Sequence, residues 1–132
     1  MCKIGDIIIV DEYKDNGNVI PSHSFVVIND ENGEIQGLSY DFVANALSSF
    51  KGKTQKKRKL SYPGNFPITP NDTITNPHNN KSGYIKSDQF YYFSKDKISY
   101  EVIGYMKPEI FNSLIEYIDN SDFELLDIVD NL

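Results

Sequence analysis

The stretch Ile7-Ile8-Ile9-Val10 decides the fold class, because four consecutive β-branched side chains favour an extended strand over a helix. Its short length and its lack of polar residues are typical of a buried strand. Outward from this segment, further short apolar stretches alternate with turn residues along the chain. We predict additional strands over residues 25–28, 34–40, 42–47, 84–86, 89–93 and 98–103.

Glycine, asparagine and proline mark the predicted connections between these strands. Asn32-Gly33 lies between the second and third of them and predicts a hairpin, because both central positions of a type I′ turn need positive φ. Residues 11–21 are polar and contain Asn16-Gly17, which indicates a long loop. We also expect residues 70–82 to be mostly loop and residues 52–59 to form a mobile loop.

A helical period occurs over residues 107–119, where Pro108 can occupy the first turn because its missing N–H would be unbonded there anyway. The apolar residues that follow recur three or four positions apart, as on one face of a helix; they are Ile110, Phe111, Leu114, Ile115 and Ile118. A weaker three-residue spacing in the acidic tail, residues 120–132, predicts a second helix over residues 122–132. The fold class expected is mainly β with a C-terminal helix (α+β), in a single domain spanning residues 1–132.

The composition argues against several kinds of protein. A chain of 132 residues, with 39% hydrophobic and 24% charged residues, suits a folded domain with one core. Cys2 is the only cysteine, and two histidines without a ligand-spacing signature do not make a zinc site. We therefore expect no cofactor and no metal. The apolar stretch at residues 7–10 is far too short for a signal peptide or a membrane span, so we expect a cytoplasmic protein with no membrane partner.

Positive charge is concentrated in one short segment of an acidic chain. The net charge is −6, yet six of the thirteen basic residues fall within nine positions. These six residues are Lys51, Lys53, Lys56, Lys57, Arg58 and Lys59. Such asymmetry is typical of a surface that binds a polyanion such as RNA. The alternative is a solvated loop with no partner, since charge runs often have no other role.

The sequence contains two incomplete matches to known catalytic motifs. Gly52-Lys53-Thr54 would need a glycine five positions before Gly52 to be a phosphate-binding loop, and that position is Leu47. Gly37-Leu38-Ser39-Tyr40-Asp41 ends in Asp where a nucleophile elbow needs Gly. The sequence therefore supports neither a P-loop nucleotide hydrolase nor an α/β-hydrolase.

Several segments, in order, resemble the MazF/PemK family of toxin endoribonucleases. Residues 3–10 (KIGDIIIV) resemble its opening Gly-Asp and apolar strand, and residues 23–28 (HSFVVI) fall where the family has Arg-Pro and a second strand. Residues 42–49 correspond to a strand that ends in Thr-Ser. Residues 86–90 (KSDQF) resemble the family's Asp-Gln strand, and residues 97–104 its Ile-Gly turn before the terminal helix.

This resemblance implies an SH3-like β-barrel of the MazF/PemK/CcdB type and a homodimer. It also implies the toxin component of a toxin–antitoxin system, inhibited by a partner antitoxin. The implied activity is metal-independent cleavage of single-stranded RNA, in which the 2′-OH attacks the phosphate and leaves a 2′,3′-cyclic phosphate.

The resemblance also suggests which residues would act on RNA. His23 stands where the family has its catalytic Arg, Ser24 where it has Pro, and Ser48 where it has its catalytic Thr, with Ser49 following. Cleavage requires a base for the 2′-OH, an acid for the departing 5′-oxygen and donors for the charge on phosphorus. Histidine can move protons near neutral pH, but it lacks the permanent charge and the forked geometry of arginine.

A second similarity, to another class of toxins, points to a lysine that could add positive charge to the site. Residues 47–51 (LSSFK) are similar to the Leu-Thr-Ser-x-Lys stretch of ToxN-like toxins, which an RNA antitoxin restrains. On that match Lys51 takes part in the site. The predicted catalytic residues are therefore His23, Ser48 and Lys51. The predicted RNA-binding residues are Ser49, Lys53, Lys56, Lys57, Arg58 and Lys59.

We expect these residues to line a groove between residues 11–21 and residues 48–59. The antitoxin could be a protein or an RNA. The sequence leaves two other functions open. One is a non-catalytic RNA-binding or regulatory module on the same barrel, and the other is a protein-interaction domain whose basic segment and acidic tail dock on each other.

Overall fold

The computed structural model describes residues 1–132 and contains eleven strands and two helices. The strands are β1 (Asp6–Asp15), β2 (Asn18–Asn29), β3 (Gly33–Ile35), β4 (Leu38–Tyr40), β5 (Phe42–Ser49), β6 (Asn65–Ile68), β7 (Thr73–Thr75), β8 (Gly83–Lys86), β9 (Gln89–Phe93), β10 (Tyr100–Met106) and β11 (Leu126–Asn131). The helices are α1 (Lys53–Leu60) and α2 (Pro108–Asp119). The mainly-β α+β class and the helix predicted over residues 107–119 are confirmed. No helix is long and apolar enough to cross a membrane.

Nine strands form one sheet, in the order β11-β9-β5-β2-β1-β10-β7, with β8 and then β6 added alongside β5. Strand β5 is shared along its length, because its first half pairs with β9 and its last three residues pair with β8. The pairing of β11 with β9 is parallel, whereas the other pairings are antiparallel. The last residues of β5 therefore lie beside β8, while its first residues lie beside β9. Strand β2 pairs with β5 as well.

Apolar residues are buried on both sides of the sheet. Successive side chains of a strand point to opposite faces, so Phe25 and Val27 of β2 enter one core cluster while Val26 enters another. The larger cluster is rich in aromatic rings from β2, β5 and β9. Helix α2 covers the smaller cluster with Leu114, which is fully buried. This packing explains why the apolar face of α2 is recognisable in the sequence.

The loop predicted over residues 11–21 is wrong, because β1 and β2 continue through it as a two-stranded ribbon. Asn16 and Gly17 form its tight turn, with φ of 51° and 80°. Asn-Gly is the strongest short hairpin signal, since both residues tolerate positive φ. Tyr13 is buried in the larger core cluster, and this burial holds the otherwise polar ribbon in strand conformation.

The hairpin turn predicted at Asn32-Gly33 is wrong, because the turn occurs a few residues later in the chain. The turn with positive φ lies at Gln36 and Gly37, between β3 and β4, which form a separate two-stranded sheet. Gly33 is instead the first residue of β3 and pairs with Tyr40. Strand β2 pairs with β5 rather than with this small hairpin.

The mobile loop predicted over residues 52–59 is wrong, because most of it forms helix α1. Its residues are nearly all Lys, Gln, Arg or Leu, which are good helix formers. The side-chain Oε1 of Gln55 accepts the backbone N–H of Lys51 at 2.7 Å and so supports the first turn. Three basic residues in the last turn stabilise the helix, because they interact favourably with the negative end of its dipole. Since α1 buries none of its residues, it shows no apolar period in the sequence.

The helix predicted over residues 122–132 is wrong as well, because this part of the tail contains strand β11. Ile128 is buried in the larger core cluster, and Ile128-Val129 is a β-branched pair that favours a strand. The buried Asn131 side chain accepts the Lys14 backbone N–H at 2.6 Å and donates to the Lys14 carbonyl at 3.0 Å. These bonds tie the tail to β1, across a sequence separation of 117 residues.

Candidate nucleic-acid interface

An open groove of about 1120 Å³ lies where the end of β5 meets β8, β2 and α1. It is lined by Ser22, His23, Ser24, Leu47, Ser48, Ser49, Phe50, Lys51, Gly52, Lys53, Gln55, Lys56, Lys59, Lys81, Ser82 and Tyr84. Residues 11–21, expected as one wall, are absent from this set because they form the β1–β2 ribbon. We call this surface the lysine groove.

The lysine groove is positively charged although the chain is acidic overall. Its sixteen lining residues include five lysines and no Asp or Glu. Four of these lysines belong to the basic run predicted from the sequence. The fifth, Lys81, comes from the loop between β7 and β8 and is remote from that run, so nothing in the sequence marks it. A concave surface with one sign of charge concentrates its field and attracts polyanions.

Helix α1 divides the predicted RNA-binding residues into two sets. Lys53, Lys56 and Lys59 recur every three positions, so they share one helix face, and all three line the groove. Lys57 and Arg58 are exposed but lie outside the lining set, so the structure does not bring them to the groove. Ser49 lines it as predicted, at the end of β5.

Two aromatic rings lie beneath the lysines of α1. The rings of Phe50 and Tyr84 have their centroids 5.3 Å apart. The Lys56 Nζ lies 5.6 Å from the Phe50 centroid, and the Lys59 Nζ lies 6.0 Å from that of Tyr84. Such cation–π contacts hold ammonium groups over the rings. Phe50 is not among the predicted site residues, because one aromatic residue beside a strand end carries no distinctive pattern.

His23 and Ser48 are brought together by the pairing of β2 with β5. Ser24 pairs with Leu47, so the antiparallel register places the preceding residue, His23, next to Ser48. The His23 Nε2 lies 3.5 Å from the Ser48 Oγ. The imidazole is half-buried, and its ring packs near Tyr13 and Phe25, with centroids 6.2 and 5.8 Å away. Those contacts fix the ring at one end of the groove.

The environment of His23 favours the neutral form of its imidazole. Burial lowers its pKa below the ordinary value of 6.5, and the positive charge of Lys86 lowers it further. A hydrogen bond with the Leu47 backbone acts in the opposite direction and is the smallest of these effects. A neutral imidazole can accept a proton, which is what a general base must do.

The three predicted catalytic residues therefore lie in one groove. Lys51 lines it together with His23 and Ser48, and its side chain is exposed to solvent. The arrangement provides a proton acceptor, a hydroxyl and several cations, which can together orient and neutralise a phosphodiester. No group of three or more His, Cys, Asp or Glu side chains is arranged to hold a metal ion.

Comparison of this chain with protein-family models, with curated proteins and with solved structures finds no significant match.

Proposed function

We propose that this protein is the toxin component of a toxin–antitoxin system and a metal-independent endoribonuclease that cleaves single-stranded RNA. The observation that carries this proposal is the His23–Ser48 pair, 3.5 Å apart, in a groove with five lysines and no acidic residue. RNA is the polyanion whose cleavage needs only proton transfer and charge stabilisation, because its own 2′-OH is the nucleophile.

In the proposed reaction, the neutral His23 imidazole takes the proton of the ribose 2′-OH. The 2′-oxygen attacks the adjacent phosphorus, and the bond from phosphorus to the 5′-oxygen breaks. That oxygen leaves as a 5′-hydroxyl by taking a proton from solvent water in the open groove, and the other product ends in a 2′,3′-cyclic phosphate. The protonated His23 then returns its proton to solvent. Ser48 and Lys51 bind the scissile phosphate and stabilise its developing charge.

The lysine face of α1 holds the rest of the RNA strand. Lys53, Lys56 and Lys59 present ammonium groups at helical spacing along the groove, which suits successive backbone phosphates. Binding through phosphates releases condensed counterions, so the affinity falls as salt rises.

The resemblance to the MazF/PemK family supports the remaining parts of the proposal. The sheet with α2 on one face is compatible with an SH3-like β-barrel of the MazF/PemK/CcdB type. By the same resemblance, the protein acts in the cytoplasm as a homodimer and is inhibited by an antitoxin. A protein antitoxin follows from the MazF/PemK similarity, and an RNA antitoxin follows from the ToxN-like segment at residues 47–51.

The second candidate function is a non-catalytic RNA-binding or regulatory module. It is favoured by the residue at position 23, where His replaces the catalytic Arg of the MazF/PemK family. The groove would then bind RNA through its lysines without cleaving it. The docking of the basic segment on the acidic tail is less well supported, because Asp127 accepts the Tyr92 hydroxyl and Asp130 accepts the Gly17 N–H.

The test is to incubate the protein with mixed-sequence single-stranded RNA in excess chelator and to map the new ends. We expect 2′,3′-cyclic phosphate and 5′-hydroxyl ends from the native chain and from the control variant His78→Ala, which alters the other histidine. RNA that stays intact at high protein concentration contradicts the nuclease. If that intact RNA is nevertheless bound, the binding module is supported instead.

A further inference from the structure

A cleft of about 440 Å³ lies between residues 63–66, one face of α2 and residues 120–123, which follow that helix. None of its nine lining residues also lines the lysine groove. The Tyr117 hydroxyl donates a hydrogen bond to the Pro63 carbonyl, which ties α2 to the chain that enters β6. The cleft is therefore a separate surface of the molecule, and we call it the aromatic cleft.

Three aromatic rings from different parts of the chain form the wall of the aromatic cleft. Phe66 belongs to β6, Tyr117 to α2 and Phe123 to the segment that follows α2. The centroid of the Tyr117 ring lies 5.3 Å from that of Phe66 and 6.0 Å from that of Phe123. The ring planes are inclined at 66° and 43°, so the rings form an angled wall and not a stack. All three residues are only half-buried, which leaves ring surface open to a ligand.

The aromatic cleft carries negative charge and no positive charge. Glu116 and Asp122 line it and are exposed, whereas the lining includes no Lys, Arg or His. The last turn of α2 has no basic residue either, so the negative end of its helix dipole adds to the same field. More widely, residues 108–132 contain seven acidic residues and no Lys or Arg. A surface of this charge attracts a cation.

The hydroxyl groups of the aromatic cleft offer a ligand acceptor capacity only. The Ser113 Oγ donates its hydrogen to the Glu109 carbonyl at 3.0 Å, and the Ser121 Oγ donates to the Ile118 carbonyl at 2.7 Å. The tyrosine hydroxyl also donates within the chain. Their oxygen lone pairs and the two carboxylates are therefore available to a ligand as hydrogen-bond acceptors. Such a surface suits a ligand that donates hydrogen bonds and disfavours an anion such as phosphate.

We propose that the aromatic cleft binds the guanidinium group of an arginine side chain presented by a partner protein. A guanidinium is a planar cation with five N–H donors and no acceptor, so it matches both the aromatic wall and the acceptor groups. It stacks on the rings through cation–π contacts, and its forked donors bind the carboxylates of Glu116 and Asp122. The inference does not depend on RNA cleavage, because the cleft and the lysine groove share no residue.

Other organic cations fit the aromatic cleft less well. A quaternary ammonium has no N–H group, so it would leave the acceptor groups of the cleft unused. A lysine ammonium is compact and strongly hydrated, whereas a guanidinium is weakly hydrated and flat enough to lie on a ring. The cleft is open to solvent, which allows the side chain of another protein to enter it.

The binding test compares two probes of the same shape. Nα-acetylarginine amide carries the guanidinium, whereas Nα-acetylcitrulline amide has a neutral urea in its place. NMR follows the ring signals of Phe66, Tyr117 and Phe123 in the native chain during titration with each probe. We expect the arginine amide to shift these signals with millimolar affinity and the citrulline amide to leave them nearly unchanged. The ring of Tyr105, which is exposed outside the cleft, serves as the control and should not respond.

Two variants separate the contribution of the rings from that of the charge. Phe123→Leu keeps an apolar side chain without the ring and should weaken binding of the arginine amide about two- to fivefold. Glu116→Gln removes one carboxylate and should weaken binding about two- to fivefold at low salt and less at high salt. Glu109→Gln is the matched control, because Glu109 lies in the first turn of α2 and outside the cleft. Native affinity in both folded cleft variants contradicts the proposal.

Further outcomes of the titrations decide between ligands and between proposals. Ring signals that respond equally to the arginine and citrulline amides, or to neither, overturn the cleft. Tighter binding of tetramethylammonium, or of free arginine with its own carboxylate, also overturns it in favour of a small-molecule cation. RNA cleavage by a chain whose cleft ignores the arginine amide leaves the nuclease standing and overturns the cleft alone. Binding of the arginine amide by a chain that neither binds nor cleaves RNA supports the cleft and overturns the proposed function.

Discussion

Helix α1 carries five basic residues and strand β11 carries two acidic ones, and the two segments use their charge differently. Helix α1 is basic, buries none of its residues, and presents three lysines to a groove without acidic residues. Strand β11 is acidic, but it is anchored by the buried Ile128 and Asn131. Its carboxylates accept hydrogen bonds from Tyr92 and Gly17. The ammonium groups of α1 face an open groove that a partner can enter, whereas the carboxylates of β11 are hydrogen-bonded within the fold.

The largest expected effect concerns catalysis at the α1 side of the molecule. His23→Ala removes the proposed base and should lower the rate of RNA cleavage by about 10²- to 10⁴-fold. The RNA affinity should change little, because a neutral imidazole contributes no charge to phosphate binding. Single-turnover cleavage and fluorescence anisotropy measure the two quantities. A rate within a factor of two or so of the native protein excludes His23 as the base.

At the β11 side, the largest effect should be on stability alone. Asn131→Ala leaves the Lys14 N–H and carbonyl without their side-chain partners and should lower the free energy of unfolding by about 1–3 kcal/mol. Urea denaturation measures this change. RNA affinity measured well below the unfolding transition should match the native value. A weaker RNA affinity in the folded variant contradicts the separation of the two regions.

The fall of the RNA cleavage rate at acidic pH should report on the protonation of His23 in the lysine groove. The base must be unprotonated, and burial, followed by the charge of Lys86, lowers the pKa of His23 from its ordinary value of 6.5, so the loss of cleavage on acidification should be centred below pH 6.5. The rate should then fall about tenfold per pH unit once the pH drops below that lowered pKa. A profile of cleavage rate against pH that falls already between pH 8 and 7 contradicts the assignment.

The free energy of unfolding at alkaline pH should report on the hydrogen bond between Tyr92 and Asp127 of β11. Burial, followed by the hydrogen bond to Asp127, raises the pKa of Tyr92 to about 12. Because the folded value exceeds the ordinary value of 10, this contribution to stability is full below pH 10 and disappears as the pH rises through 12. Tyr92→Phe should therefore reduce the dependence of unfolding free energy on pH in that window. An identical pH dependence in the variant shows that the Tyr92–Asp127 hydrogen bond contributes nothing.

The parts of the fold that could be predicted are those encoded by neighbouring residues. The strand at residues 7–10 and the helix α2 each show their own local pattern, and both are present. Helix α1 escapes prediction because an exposed helix that buries nothing has no apolar period. Strand β11 escapes it because its pairing with β9 and its bonds to Lys14 depend on distant parts of the chain.

In the candidate site, too, the sequence predicts only what neighbouring residues encode. The basic run identifies the lysines of α1, but only the helix geometry separates Lys53, Lys56 and Lys59 from Lys57 and Arg58. The proximity of His23 and Ser48 follows from the register of β2 and β5, which the sequence does not specify by itself. Lys81 reaches the groove from the loop between β7 and β8, and no local pattern predicts its place there.

The separation of α1 into two faces allows the most direct test of RNA binding in the lysine groove. Anisotropy titrations with single-stranded RNA at several salt concentrations should compare Lys53→Gln/Lys56→Gln/Lys59→Gln with Lys57→Gln/Arg58→Gln. The groove-facing variant should weaken RNA binding at least tenfold and reduce the salt slope by roughly 0.7 for each phosphate that is no longer neutralised. The outward-facing variant should retain nearly native affinity and slope. Equal decreases in affinity per removed charge in the two variants would contradict binding in the groove.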